Sequence, residues 1–392
     1  MAKKSLVYFQ SGGPTTVINS SLLGVVNEAK RHNEIDGIFG SMYGVEGLIE
    51  DNLIDLRAED ESDLELLKHT PGAILGSTRR KMPGIEDPLF DKIIWTIQKH
   101  NIGYILVNGG NDSMDTCHRL SQFFNAKKMA VQVIGIPKTI DNDLKLTDHA
   151  LGYPSAAKHI INFVSMIVQD AKTYRKGKII LIEIMGRDTG WLTASVDLLP
   201  EDRRPDFLYL PEMPWDEAKF LKEVKNTYET QGYIVCAVSE GVPVQHINEN
   251  IVDSFGHKAL EGCCVSVASL IKEKLGYSSR VVELSISQRA DPLLASEVDI
   301  EEAIGAGNFA VQSLLNGEKD KMVCLRRVSS CPYEASYVLE NVGEVANKIK
   351  YVPAEFLQSD RRMSDAFRDY LRPLLGLDYL YTQATFKYRK AK

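Results

Sequence analysis

Short apolar runs rich in β-branched residues alternate along the chain with longer stretches whose apolar positions recur every three or four residues. The runs predict strands over Lys4–Phe9, Gly37–Ser41, Gly103–Val107, Val131–Ile136, Lys178–Met185, Asp206–Leu210, Gly232–Val238, Arg280–Ile286 and Met322–Arg327. The periodic stretches predict helices over Val17–Lys30, Ser113–Phe124, Ser155–Ala171, Trp215–Gln231, His257–Leu275 and Ser296–Leu315, with a further one over Ser364–Pro373. Strand and helix in alternation require right-handed crossovers. The expected fold class is therefore α/β: two Rossmann-like domains with mainly parallel sheets covered by helices on both faces. No segment repeats at a short period and none is of low complexity.

The length of 392 residues suits two or three domains. A loop and a Gly-Tyr-Pro break at Asn142–Tyr153 mark one crossing, and Gln288–Pro292 marks a return. The expected division is residues 1–143 plus about 290–345 in one domain, and 144–289 plus about 346–392 in the other.

Composition narrows the class of partner. Hydrophobic residues at 44% and charged residues at 25% exclude disorder, collagen and coiled coil. Lys plus Arg is 46 and Asp plus Glu is 53, so the net charge is 46 − 53 = −7. Such a chain does not suit a nucleic-acid backbone, and anionic ligands must be met by local cations and backbone amides. No apolar run approaches the roughly 18 residues of a membrane span. The start, Met1 to Gln10, reads as a first buried strand rather than a leader, and the protein is expected in the cytoplasm. The six cysteines (Cys117, Cys236, Cys263, Cys264, Cys324, Cys331) lack the spacing of a zinc or redox pair and are expected to be reduced. The basic tail Lys387–Lys392 is expected to be solvated. His100, His159 and His257 lack carboxylate partners in sequence and read as surface or packing histidines. Arg203-Arg204 and Arg361-Arg362 read as solvated or interface charges.

The chemistry lies in four turns, each joining an apolar strand to a helix. They are Ser11-Gly12-Gly13-Pro14-Thr15, Gly109-Gly110-Asn111-Asp112-Ser113, Gly135 through Asp143, and Met185-Gly186-Arg187-Asp188-Thr189-Gly190. Glycine lets a ligand approach the backbone. A helix start behind the turn offers free N–H groups to an anion. In parallel sheets all four turns fall at the carboxyl edge. Two of them add a cation, Lys138 and Arg187, and together they point to a polyphosphate. The third turn also places Thr139, Asp141 and Asp143 at alternate positions beside Lys138. Carboxylates beside phosphate need a metal or a substrate hydroxyl, which is the equipment of phosphoryl transfer. A plain Asx-type loop is the alternative for that run.

Pro137-Lys138-Thr139-Ile140-Asp141-Asn142-Asp143 resembles the signature loop of phosphofructokinases. Gly12-Gly13 with Asn19, Gly76-Ser77-Thr78-Arg79, Gly109 through Ser113, Met185-Gly186-Arg187, Ser239-Glu240-Gly241, and Arg280 through Gln288-Arg289 follow the family's order. The likeness spans about residues 4 to 330. It implies the phosphofructokinase fold, with the first domain holding the phosphoryl donor and the second the sugar phosphate. It further implies Asp141, Lys138 and Arg187 as catalytic groups. Donor contacts would come from Gly12, Gly13, Arg79, Gly110, Asp112, Ser113 and Lys138. The sugar phosphate would meet Thr139, Met185, Gly186, Glu240, Arg280 and Arg289, with Lys178 reaching in from a neighbouring subunit. Asn111 and Asp143 would surround Mg2+, and the protein would be a homodimer or homotetramer. Tyr43 sits near the usual adenine region of the family and is expected to serve packing.

ATP-using members typically have Gly at the positions of Asp112 and Lys138. Asp and Lys there resemble the pyrophosphate-dependent members. The expected reaction is transfer from Mg-pyrophosphate to the 1-hydroxyl of fructose 6-phosphate, reversibly. An ATP-dependent enzyme, a non-catalytic sugar-phosphate-sensing subunit, and a lipid or nicotinamide-nucleotide kinase with a Gly-Gly-Asp-type turn are the alternatives. Asn111 in place of a metal-binding Asp, Ile286 in place of His or Tyr, Ala290-Asp291 in place of two glycines, and Lys178 in place of Arg depart from the family pattern.

Overall fold

In a computed structural model, which describes residues 3–244, 262–384 and 386, the apolar run at the start becomes strand β1 (Lys4–Gln10), buried at six of its seven positions. A strand buried on both faces belongs at the middle of a parallel sheet. β1 pairs in parallel with β2 (Ile35–Ser41) on one side and β4 (Ile102–Gly109) on the other. β5 (Gln132–Pro137) and β10 (Lys321–Ser330) continue the parallel set. The edges depart from it. β3 (Leu53–Asp55) pairs antiparallel to β2, and β11 (Tyr333–Asn341) pairs antiparallel to β10. The order is β11-β10-β5-β4-β1-β2-β3. The second sheet, β7-β8-β6-β9, is parallel throughout and uses β6 (Ile179–Ile184), β7 (Phe207–Tyr209), β8 (Ile234–Ser239) and β9 (Ser279–Glu283).

Alternation along each central strand feeds two cores per sheet. Leu6 and Tyr8 join helices Ile18–Lys30 and Glu297–Leu315 on one face, while Val7 and Phe9 join helices Leu89–Lys99 and Asn111–Ala126 on the other. In the second sheet Ile180, Ile182 and Ile184 pack with helix Tyr153–Ala171. Ile179 and Leu181 face helices Glu217–Gln231 and Cys263–Leu275. The core around Ile180 also takes in Met363, Phe367, Leu371 and Leu374 from the C-terminal segment. Asp299, on a helix of the first sheet, accepts hydrogen bonds from the backbones of Gly152 and Ser155 at the start of helix Tyr153–Ala171. A buried carboxylate thereby supplies the cap between the two halves.

The strand predicted over Arg280–Ile286 stops at Glu283, and the chain turns into a 3₁₀ helix over Ser285–Arg289. The helix predicted over His257–Leu275 runs from Cys263, and residues 257–261 lie outside the described residues, as does the tail from Lys387. Two histidines gain carboxylate partners that sequence spacing did not reveal: His100 Nε2 lies 2.6 Å from Asp51 and His159 Nδ1 lies 2.8 Å from Asp291. The paired arginines are engaged rather than merely solvated, with Arg361 on Glu223 and Arg204 and Arg362 on the buried Asp197. None of the described helices is long and apolar enough to cross a membrane.

Candidate active site

The carboxyl ends of both sheets open on one cleft of about 730 Å³. That size suits a small phosphorylated ligand. Six connections meet there. They follow β1 (Ser11–Thr15), β4 (Gly110–Ser113), β5 (Lys138–Asp143), β6 (Met185, Arg187, Asp188), β8 (Glu240) and β9 (Ser285, Ile286, Arg289). The predicted donor residues Gly12, Gly13, Arg79, Gly110, Asp112, Ser113 and Lys138 all line it, as do Asn111, Asp141, Asp143 and Arg187. Of the predicted sugar contacts, Thr139, Met185, Glu240 and Arg289 line it. Gly186 stands just behind the wall, its N–H bonded to Glu240. Lys178 and Arg280 are elsewhere. Both are exposed at the opposite, amino-terminal ends of β6 and β9, in adjoining register. Tyr43 is exposed and does not line the cleft.

Lys138 forms the floor. It is only 2% exposed, and its ammonium donates to the Gly13 carbonyl at 2.6 Å. Burial pushes its pKa down to about 7, against the pull of the Asp141 carboxylate. Gly12 holds φ +80°, and a Cβ on it would come within 3.3 Å of the Lys138 Nζ. The first turn therefore needs glycine both for its backbone and for this approach.

The third turn places two carboxyls side by side. Burial raises the pKa of both Asp141 and Asp143, and the proximity of Asp141 helps bring Asp143 to about 7. Arg187 and Lys138 oppose the shift at Asp141. Asp143 Oδ1 is buried with no hydrogen-bond partner. A buried, orphaned carboxylate oxygen fits a divalent cation. Among the described residues, no group of three or more His, Cys, Asp or Glu could hold a metal unaided. Mg2+ would thus depend on phosphate oxygens and water, its usual coordination in phosphoryl transfer. Asn111, expected beside the metal, lines the cleft and also clasps the chain opposite. Its Oδ1 accepts from the Asn347 N–H at 2.6 Å, and its Nδ2 donates to the Lys348 carbonyl at 2.7 Å.

The fourth turn is held from behind by Glu240, which is 5% exposed. Its Oε1 accepts from the N–H groups of Gly186 at 3.2 Å and Arg187 at 2.8 Å. Burial lifts its carboxyl to about 7 despite these bonds. Arg187 adopts φ +52°, and Gly241 leaves its carbonyl room: a Cβ there would stand 1.9 Å from that oxygen. Cleft residues outside the quoted motifs are Arg80, Thr116, Asn347 and Ile349, while Asp188 and Ser285 lie inside them without an expected role. Arg80 and Thr116 stand close in sequence to quoted motifs. Residues 347–349 carry no phosphate-binding pattern, and only tertiary structure brings them in.

Five cations (Arg79, Arg80, Lys138, Arg187 and Arg289), paired carboxyls and glycine turns at one mouth can bind a polyphosphate and deprotonate a hydroxyl beside it. Comparison with known proteins agrees. The family model described as Phosphofructokinase matches residues 5–314. The pyrophosphate–fructose 6-phosphate 1-phosphotransferase of Methylococcus capsulatus is 36% identical over 97% of this chain and 93% of its own length. The enzyme of the same name from Halomonas elongata is 33% identical over 97% of this chain and 94% of its own. The crystal structure of a pyrophosphate-dependent phosphofructokinase from Nitrosospira multiformis superposes with a TM-score of 0.86 at 32% identity, covering 99% of this chain and 96% of that one.

Proposed function

The chain belongs to the phosphofructokinase family, and from that premise we infer that it moves a phosphoryl group from pyrophosphate to the 1-hydroxyl of fructose 6-phosphate. The products are fructose 1,6-bisphosphate and phosphate. Donor and product esters lie close in hydrolysis free energy, so the step runs in both directions and serves glycolysis and gluconeogenesis alike.

The observation that carries the donor assignment is the Lys138 ammonium on the cleft floor, anchored to Gly13 beside the exposed Asp112. A nucleotide would have to thread its α-phosphate and ribose past both side chains. Inorganic pyrophosphate ends where they begin. Asp141 takes the proton of the 1-hydroxyl as that oxygen attacks the nearer phosphorus, and the bond to the bridging oxygen breaks. Lys138, Arg79 and Arg187 neutralise the charge that grows on the departing phosphate and the transferring group. Mg2+ held by Asp143 and the donor's oxygens would supply further charge neutralisation. Asn111 contributes by holding residues 347–348 rather than through a free amide. Thr139, Met185, Gly186 and Glu240 hold the sugar, and Arg289 its phosphate.

Lys178 and Arg280 are two exposed cations at the end of the second sheet opposite their own cleft. They serve the sugar phosphate of a second copy, so the working unit is at least a homodimer. The enzyme works in the cytoplasm, consistent with six cysteines that form no disulfide.

Incubating the protein with fructose 1,6-bisphosphate, phosphate and Mg2+ tests the reading. It predicts pyrophosphate and fructose 6-phosphate in equal amounts. Release of fructose 6-phosphate without pyrophosphate would contradict it.

A further inference from the structure

The segment ending at Lys350 is not part of any phosphate-binding turn, yet it holds the loop that carries both catalytic carboxyls. The Lys350 N–H donates to the Asp143 carbonyl at 2.8 Å, and Ile349 bridges to Leu144. Its ammonium then enters the loop itself. It donates to Asn142 Oδ1 at 3.2 Å, the Thr147 carbonyl at 3.2 Å and the Asp148 carbonyl at 3.0 Å. On its far side lies the ring of Trp191, 5.1 Å away, whose Nε1 donates to the Lys350 carbonyl.

Asn142 stands between Asp141 and Asp143 with φ +54° and no exposed surface. A left-handed residue there costs energy for anything but Gly, Asn or Asp and persists only where neighbours enforce it. Every polar atom of its amide is engaged: Oδ1 also accepts from the Ala150 N–H, and Nδ2 donates to Tyr370. The direction in which the two carboxyls leave the backbone depends on this one residue's conformation.

We propose that Lys350 is a positioning residue for phosphoryl transfer: its ammonium acts as a built-in cation inside loop 142–148 and, through Asn142, fixes Asp141 relative to Asp143. It touches no substrate and acts on the rate of the chemical step. Misplacing a base by about 1 Å can cost on the order of a hundredfold in rate. The inference rests on the phosphotransferase reading above.

The test compares the whole protein with K350M, which keeps the unbranched side chain to within one atom of its length and removes its charge. Expected is a fall in kcat of at least tenfold, with KM for pyrophosphate and fructose 6-phosphate within about threefold of wild type. K350A should regain part of its kcat when ethylammonium is added, whereas the wild type should not respond; a merely structural role would not produce that difference. Should K350M fail to fold, N142G keeps the left-handed backbone and removes the amide that Lys350 holds, and it should show the same split. A kcat within threefold of wild type in a folded K350M or in N142G overturns the proposal. So does a loss carried wholly by KM. A wild-type chain that transfers no phosphate to fructose 6-phosphate overturns the underlying reading and this inference with it, and is distinguished by appearing before any variant is made.

Discussion

Lys138 and Asp141 divide the work of the proposed mechanism at the scale of single residues. Among the described residues the buried ammonium of Lys138 is hydrogen-bonded to one carbonyl, and burial outweighs the nearby carboxylates to lower its pKa. An arriving pyrophosphate supplies the missing charge, so binding and protonation reinforce each other. Replacing Lys138 with Met should therefore reduce kcat/KM for pyrophosphate by at least a hundredfold, measured by initial rates at fixed fructose 6-phosphate, while inhibition by a non-reacting sugar phosphate stays unchanged. In the proposed mechanism Asp141 carries the proton. Asp141→Asn should lower kcat by about 10²–10⁴-fold with KM values little altered. A smaller drop would assign the proton elsewhere.

At the scale of elements, the packing depends on close backbone approaches. Helices Ile18–Lys30 and Glu297–Leu315 meet where a Cβ on Gly24 would stand 2.1 Å from the Ile304 carbonyl, and one on Gly307 2.3 Å from the Ser21 carbonyl. Gly24→Ala should thus cost roughly 1–3 kcal/mol in denaturant unfolding, since the obstruction is backbone and cannot turn aside. A buried charge cluster ties β10 and β11 to the catalytic loop. His149 has no exposed surface, with Nε2 2.7 Å from Glu302 and Nδ1 3.0 Å from Asp148. Burial alone would lower its pKa, but the two carboxylates reverse that and raise it to about 9. Unfolded, the imidazole returns to about 6.5. The folded state then binds the extra proton between these values. Its stabilisation is complete below about pH 6.5 and lost as pH rises through 9. Thermal unfolding of wild type should fall across that window more steeply than that of His149→Gln; parallel curves would remove the imidazolium from the account.

Elements also set how much the chain discloses before folding. β1, β4, β5, β6 and β8 are buried on both faces, so their apolar runs identify them directly. β3 has three residues at a sheet edge, and β11 is half-buried along most of its length, so neither has an apolar run to find. Helix Leu89–Lys99 buries Phe90, Ile93 and Ile97, a helical spacing legible in the sequence although it is not among the predicted elements. The glycine turns announce the site because their chemistry is local. The clasp of Asn111 on residues 347–348 and the hold of Lys350 on Asn142 span more than 200 residues of chain and leave no local pattern.

For the molecule as a whole, two sheets point their carboxyl edges at one cleft, which suits the proposed arrival of donor and acceptor from opposite halves. In the function proposed above, the cationic residues Lys178 and Arg280 serve the cleft of a second copy. Chains carrying Lys178→Ala with Arg280→Ala should show a KM for fructose 6-phosphate raised at least tenfold, with that for pyrophosphate unchanged. Co-refolding them with Asp141→Asn chains should yield more activity than either alone, because a hybrid contains one cleft with every native part. Activity that merely averages the two parents would make each cleft self-sufficient.

The donor decides the account. Initial rates should be measured on one preparation with pyrophosphate and with ATP, each at saturating fructose 6-phosphate and equal free Mg2+, and repeated after Asp112→Gly with Lys138→Gly. Turnover faster with pyrophosphate in the native chain, and a relative gain for ATP in the double variant, is the predicted result. A native chain that turns over faster with ATP would contradict it.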